Sequence, residues 1–329
     1  MIEALPVVDP GQAILNEFFA NTRRFALVDY LVCGLSVRSE LLLPGIVRAE
    51  APVSEPDVLV RRATVPLPCT PEQDHGLNWR VDGADVLFRV PGIVRFLIAG
   101  GRQVEFELEA SGRDDDVVPF FLSTVVGVLL HQRQRLVLHA SAVSFNGQAV
   151  AICGPSGVGK STLAAALCEA GCSFVSDDVS VIHTATACRP LVIPDGRQHR
   201  LWADSVARLS LNDRQGAAVR ASLQKFHVDP ASEGQPVPVP LHAIVVLREA
   251  RGAHRHGLVR LSSADAVALL RNDVFRGLFA SRLGRDAQLF VQIAALLGQV
   301  QVFRLDRHAD FARLGDDVRL VLGCLESAK

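Results

Sequence analysis

Lysine is nearly missing from this chain of 329 residues: it stands only at positions 160, 225 and 329, and arginine supplies the rest of the 34 basic side chains. A lysine kept against that bias is informative, because an ammonium and a guanidinium are not interchangeable. A surplus of positive charge is missing as well. The 34 basic and 35 acidic side chains leave a formal charge of −1, too little to hold a phosphate backbone or an anionic bilayer. Nucleic acid and membrane are therefore not expected as partners. Long apolar runs are also lacking: the longest, residues 117–130, holds Pro119, Ser123 and Thr124 and falls short of the ~20 residues that span a bilayer. The opening Met-Ile-Glu-Ala-Leu-Pro has neither the basic start nor the apolar centre of a targeting segment. Seven cysteines, an odd number at no framework spacing, read as reduced thiols of a cytoplasmic protein. Cys168 and Cys172 lie four apart without a histidine pair at ligand spacing, so they read as small core residues, not zinc ligands.

Apolar residues are plentiful, at 49%, which is ample for the core of one large domain or two ordinary ones. Residues 1–115 alternate short apolar stretches with turn formers, as in 85–90, Pro91-Gly92, 94–98, Gly100-Gly101 and 104–108, and predict a β-rich module. The charged run Gly112-Arg113-Asp114-Asp115-Asp116 precedes a stretch of helical pattern over 117–130. A second domain, 116–329, is placed to begin there. Later residues predict strands at 242–247, 256–261 and 302–305, and helices at 263–274, 285–297 and the C-terminus. The basic cluster from Arg251 to His256 reads as a solvated hairpin turn between two of those strands.

The chemistry concentrates in the middle. Two strand-like runs, 136–145 and 148–153, flank Asn146-Gly147, a strong hairpin signal. A two-residue loop sets Phe145 opposite Gln148, and the same register carries His139 to a position opposite Gly154. Alternation then puts His139 and Ser141 on one face and Leu138, Ala140 and Ala142 on the other. Gly154-Pro-Ser-Gly-Val-Gly-Lys160-Ser161-Thr162 follows, between a predicted strand and a helix over 160–170, the context a P-loop requires. There the glycines let backbone N–H groups turn inward on a phosphate, Lys160 reaches the terminal phosphates and Ser161 can ligate Mg²⁺.

A buried strand over 172–176 predicts that Asp177 and Asp178 stand at its carboxyl end, where open α/β sheets keep their ligands. One carboxylate suits a metal and the other suits deprotonation of a hydroxyl. His139 reads either as a satisfied core histidine or as a group that orients an aspartate or touches the γ-phosphate. Arg200, before a helical stretch, and Lys225, one of the scarce lysines, are candidate cations over a transferring phosphoryl group.

Residues 138–143 (Leu-His-Ala-Ser-Ala-Val), 154–162 and 176–179 (Ser-Asp-Asp-Val) together resemble, in order and spacing, the catalytic core of the HPr kinase/phosphorylase superfamily. Within it the chain is similar to the kinases found beside lasso-peptide biosynthesis genes, which phosphorylate a precursor peptide on its C-terminal serine. Arg200-Leu201-Trp202, the Lys225 segment and the strand over 243–247 share the likeness. The resemblance implies an α/β fold, with a P-loop kinase core of HPr-kinase type behind the β-rich N-terminal module. It implies ATP and Mg²⁺ as cofactors. It places Gly154, Ser156, Gly157, Val158, Gly159, Lys160, Ser161 and Thr162 on the nucleotide and Ser161 and Asp178 at the metal. One of Asp177 and Asp178 becomes the catalytic base, with His139, Arg200 and Lys225 lining the site. The acceptor is then a precursor peptide or small protein, and a homo-oligomer is compatible. Two other readings stand beside this one: a nucleotide-gated binding module without transfer, and a kinase acting on a small molecule.

Overall fold

Asn146 and Gly147 adopt left-handed backbone, with φ of 49° and 75°, and this lets Ala140–Phe145 fold back on Gln148–Cys153. The computed structural model describes residues 27–326 apart from 69–74, 77, 185–188, 197, 220–222, 231–236, 251–255 and 309. It pairs Phe145 with Gln148 and Ala140 with Cys153, the register read from the sequence. The ladder stops there. His139 donates its amide to the Asp273 carbonyl at 2.7 Å, and Leu136–Leu138 leaves to pair with Ser180–His183. His139 therefore sits in a break between two strand pairings and not in the ladder opposite Gly154.

Gln148–Cys153 lies parallel to Val239–Glu249, which lies parallel to Gln301–Arg307. On the other side Ser173–Ser176 is antiparallel to Ala140–Phe145 and so runs with the first three. Four strands thus end along one edge of the sheet, where the loops of such sheets hold ligands. Both faces are buried. Ala140 and Ala142 join Leu270, Ile293 and Leu296 of the helices Ser263–Asn272 and Asp286–Leu297 on one side. Val150 and Ile152 meet Leu163 and Leu167 of helix Lys160–Glu169, and Val321 and Leu325 of helix Leu314–Glu326, on the other. Burying each such Leu, Ile or Val contributes roughly 1.5–3 kcal/mol. Cys168 and Cys172 belong to the same layer, where burial pushes their thiols up to about 12 and about 11.

Ahead of this sheet, strands between Val28 and Leu108 form an eight-stranded sheet. It includes Asp85–Val90, Val94–Ala99 and Gln103–Leu108, within a residue of the three stretches expected there. Its core residues Phe96 and Phe106 share one apolar cluster with Val117, Phe121, Val125 and Leu129. Those four lie on a continuous helical stretch, Asp114–Phe120, Phe121–Val125 and Val126–Gln132, whose middle five residues form a π-turn. Pro119, which has no N–H to give, stands just before that turn, and Ser123 Oγ donates to its carbonyl at 2.7 Å. The two sheets also meet through backbone: Cys33 N donates to the Asp195 carbonyl and Val47 N to that of Gly196, each at 3.3 Å. A Cβ on Gly196 would stand 2.5 Å from the Leu31 carbonyl oxygen, so only glycine allows that approach.

The hairpin expected around Arg251 to His256 is absent from the pairing. Val239–Glu249 and Gly257–Arg260 both pair with Gln301–Arg307, which separates them, and residues 251–255 lie outside the described set. No described helix is long and apolar enough to cross a membrane.

Candidate functional site

The loop after Cys153 can tighten only because three of its residues lack side chains. Gly154, Gly157 and Gly159 take φ of 135°, 83° and 94°, a region costly for other residues. Two of them are also pressed from outside: a Cβ on Gly154 would sit 2.7 Å from the Leu247 carbonyl oxygen, and one on Gly159 would sit 2.7 Å from Arg307 Nη1. The helix begins at Lys160 with no side-chain cap, which leaves its first amides available to an anion. Lys160 is buried, and its Nζ donates to the carbonyls of Gly154 at 2.8 Å and Pro155 at 3.0 Å. Burial lowers its pKa below the ordinary lysine value, opposed by the charge of Asp178.

Ser173–Ser176 delivers the two aspartates to the same place and exposes them differently. Asp177 is 1% exposed. Its Oδ1 accepts from Ser141 Oγ at 2.6 Å and Ser161 Oγ at 2.8 Å, and its Oδ2 accepts from Arg200 N at 2.8 Å. Its own N–H donates to Asp195 Oδ2 at 2.8 Å. Asp178 turns into the cleft through left-handed backbone, φ 76°, a conformation that aspartate tolerates better than most residues. The Asp178 carboxylate lies 3.3 Å from His139 Nδ1 and forms an ion pair with Arg200. His139 Nδ1 also lies 3.2 Å from the Asp178 carbonyl oxygen, so the Nδ1–H tautomer donates toward Asp178. Burial lowers the His139 pKa, which keeps the ring neutral at pH 7. Burial also opposes the Arg200 charge, but Asp178 and Asp177 outweigh it and hold the guanidinium charged.

A small three-stranded sheet supplies the opposite wall. His199–Trp202 pairs with Lys225–Val228, which sets Trp202 opposite Lys225, and Lys225 Nζ lies 5.9 Å from the Trp202 ring centroid. His139, Ser156 to Thr162, Asp178, Arg200 and Lys225 thereby line one cleft of about 430 Å³. Gly154 lies buried beneath it and Asp177 behind it. Of the two carboxylates, it is Asp177 that accepts the Ser161 hydroxyl, while Asp178 faces His139 and Arg200.

Sequence reasoning passed over three contributors. Asp195, fully buried, orients Asp177 from the turn Pro194-Asp195-Gly196, whose composition signals a turn and nothing more. Arg307 closes the strand Gln301–Arg307; its Nη1 donates to the Val158 carbonyl at 3.2 Å and its Nε lies 2.8 Å from Asp317 Oδ2. Phe311, four residues on, also lines the cleft.

The oxygens of Ser161 and Asp177 are hard donors and too few to enclose an ion; among the described residues no cluster of three His, Cys, Asp or Glu could hold one. Such a partial set fits Mg²⁺, which keeps several waters and takes the rest of its shell from phosphates.

No protein-family model and no curated protein matches the sequence. Among solved structures, the HPr(Ser) kinase/phosphatase from Coxiella burnetii is similar over 58% of this chain and 91% of that one, at 13% identity and a TM-score of 0.32.

Proposed function

We propose that the chain is an ATP-dependent kinase that transfers the γ-phosphoryl group to a serine hydroxyl of a peptide. One observation carries this reading: a glycine-formed phosphate loop faces a pair of adjacent carboxylates, one of them locked into the loop's own helix and the other turned to the cleft. A binding module needs the first; a carboxylate turned to the cleft beside that loop is what transfer to a hydroxyl adds.

ATP lies with its β- and γ-phosphates on the loop amides and Lys160. Ser161 and Asp177 would hold Mg²⁺, which neutralises charge on the phosphate oxygens when bound. Asp178 accepts the proton of the serine hydroxyl while the oxygen attacks the γ-phosphorus in line. The bond to the β–γ bridging oxygen breaks, and its electron pair leaves with ADP. Arg200 and Lys225 stand where charge spreads over the transferring group, and neutral His139 keeps the Asp178 carboxylate aimed. The acceptor is the C-terminal serine of a lasso-peptide precursor. This step is supported by the likeness of Arg200-Leu201-Trp202, the Lys225 segment and the strand over 243–247 to the kinases of that pathway.

The test is incubation with ATP, Mg²⁺ and a precursor peptide ending in serine, read by mass spectrometry. Phosphate should appear on that serine and be lost in Lys160→Ala and Asp178→Asn. If ATP binds and neither this peptide nor any product of neighbouring genes gains phosphate, the peptide-kinase reading fails.

A further inference from the structure

The phosphate loop accounts for one end of a nucleoside triphosphate. The other end needs a flat apolar surface at a fixed distance, and the cleft offers one at the start of the C-terminal helix. Asp310 accepts from Ala312 N at 2.9 Å and so shapes the 3₁₀ turn Phe311–Arg313 that leads into Leu314–Glu326. Phe311 and Leu314 border the cleft from this turn. The Phe311 ring is half-buried, and the Arg208 guanidinium carbon lies 4.7 Å from its centroid, a cation–π contact that holds the ring in place. The turn is also tied to the phosphate loop. Arg307 donates to the Val158 carbonyl and meets Asp317 of the same C-terminal helix, and Asp317, fully buried, lies 3.3 Å from His256 Nε2. An aromatic ring that lines the same cleft as a phosphate cradle is the kind of surface on which a planar base attached through a sugar to a triphosphate stacks.

We infer that Phe311 is the stacking surface for the nucleobase of the bound nucleotide. The inference rests on the nucleotide-binding reading above. Trp202, a second apolar ring among the described residues of the cleft, is half exposed, carries Lys225 and adjoins Arg200. It therefore borders the wall where Asp178 works.

Two probes separate base from phosphates: ATP and inorganic tripolyphosphate, each titrated with Mg²⁺ into the full chain by calorimetry. Phe311→Ala should weaken ATP about tenfold or more, the loss that follows removal of a stacking ring, and leave tripolyphosphate within about twofold. Phe311→Trp should retain ATP binding. Retained tripolyphosphate binding also shows that Phe311→Ala is folded. Equal losses for both probes, no loss of ATP, or a selective ATP loss in Trp202→Ala instead would overturn the inference. If tripolyphosphate binds in a Lys160-dependent way while Phe311→Ala changes nothing, the stacking surface is wrong and the phosphate loop stands. If neither probe binds the unsubstituted protein, both fall.

Discussion

Replacing Asp177 and Asp178 by asparagine, one at a time, separates two carboxylates that are neighbours in sequence and differ in their surroundings. Asp177 is 1% exposed and accepts three hydrogen bonds. Asparagine offers one acceptor oxygen where the carboxylate offers two. Either the Arg200 amide then faces an NH₂ group, or the hydroxyls of Ser141 and Ser161 must both find other partners. Hydrogen bonds to a charged group contribute about 1.5–3 kcal/mol each, and an orphaned buried donor costs a similar amount. A net loss of about 3 kcal/mol follows once the hydroxyls rotate, which corresponds to a fall in Tm of roughly 4 °C for a chain of 329 residues. Asp178 is different: it sits at a left-handed position that asparagine also occupies readily, and its side chain is 22% exposed. Its replacement should cost about 1–2 kcal/mol through the weakened contact with Arg200, keep ATP binding, and slow transfer by about 10²–10⁴, the usual contribution of a general base. Thermal melts, calorimetry with ATP and a phosphoryl-transfer assay on each variant provide the readout. A Tm for Asp177→Asn within 2 °C of the parent, or a larger fall for Asp178→Asn than for Asp177→Asn, would refute the division of roles.

Three further outcomes are expected. Gly154→Ala should destabilise the fold and abolish ATP binding, because its Cβ would meet the Leu247 carbonyl oxygen at 2.7 Å, a backbone atom that cannot rotate aside; circular-dichroism melts and ATP titration check it. His131 is fully buried with Nε2 2.6 Å from the Phe275 carbonyl oxygen, and burial lowers its pKa from 6.5 to about 4. The unfolded chain then takes up a proton before the folded one does, so its contribution of roughly 3 kcal/mol is complete above pH 6.5 and disappears as pH falls toward 4; His131→Gln should flatten that part of the Tm–pH curve. Asp273 has the opposite sign. Burial raises its carboxyl to about 6, so stability is lost as pH rises through that value, and Asp273→Asn should raise Tm at pH 8 with little effect at pH 4.

Much of the site was legible because its signals are local. The Asn146-Gly147 turn fixes its own register, and Phe145 opposite Gln148 followed from two residues. The glycine spacing of the phosphate loop states its φ requirements directly, and the scarcity of lysine singled out Lys225, which does line the cleft. What could not be read depends on long-range geometry. The different exposure of Asp177 and Asp178 comes from a single left-handed residue at the strand end, which no periodicity announces. The break at His139 arises because Leu136–Leu138 finds a partner in Ser180–His183, forty-odd residues away. Arg307 and Asp195 are ordinary residue types whose importance lies in what the topology sets beside them. The false hairpin near Arg251 has the same origin, since two strands close in sequence each chose Gln301–Arg307 instead of each other.

The contacts from Cys33 and Val47 to the turn at Asp195 and Gly196 reach further than their number suggests, because Asp195 also secures the amide of Asp177. The floor of the cleft is thus braced from outside the sheet that builds it. A protein shortened to residues 116–329 would keep every residue of the phosphate loop and lose the strut behind its acid pair.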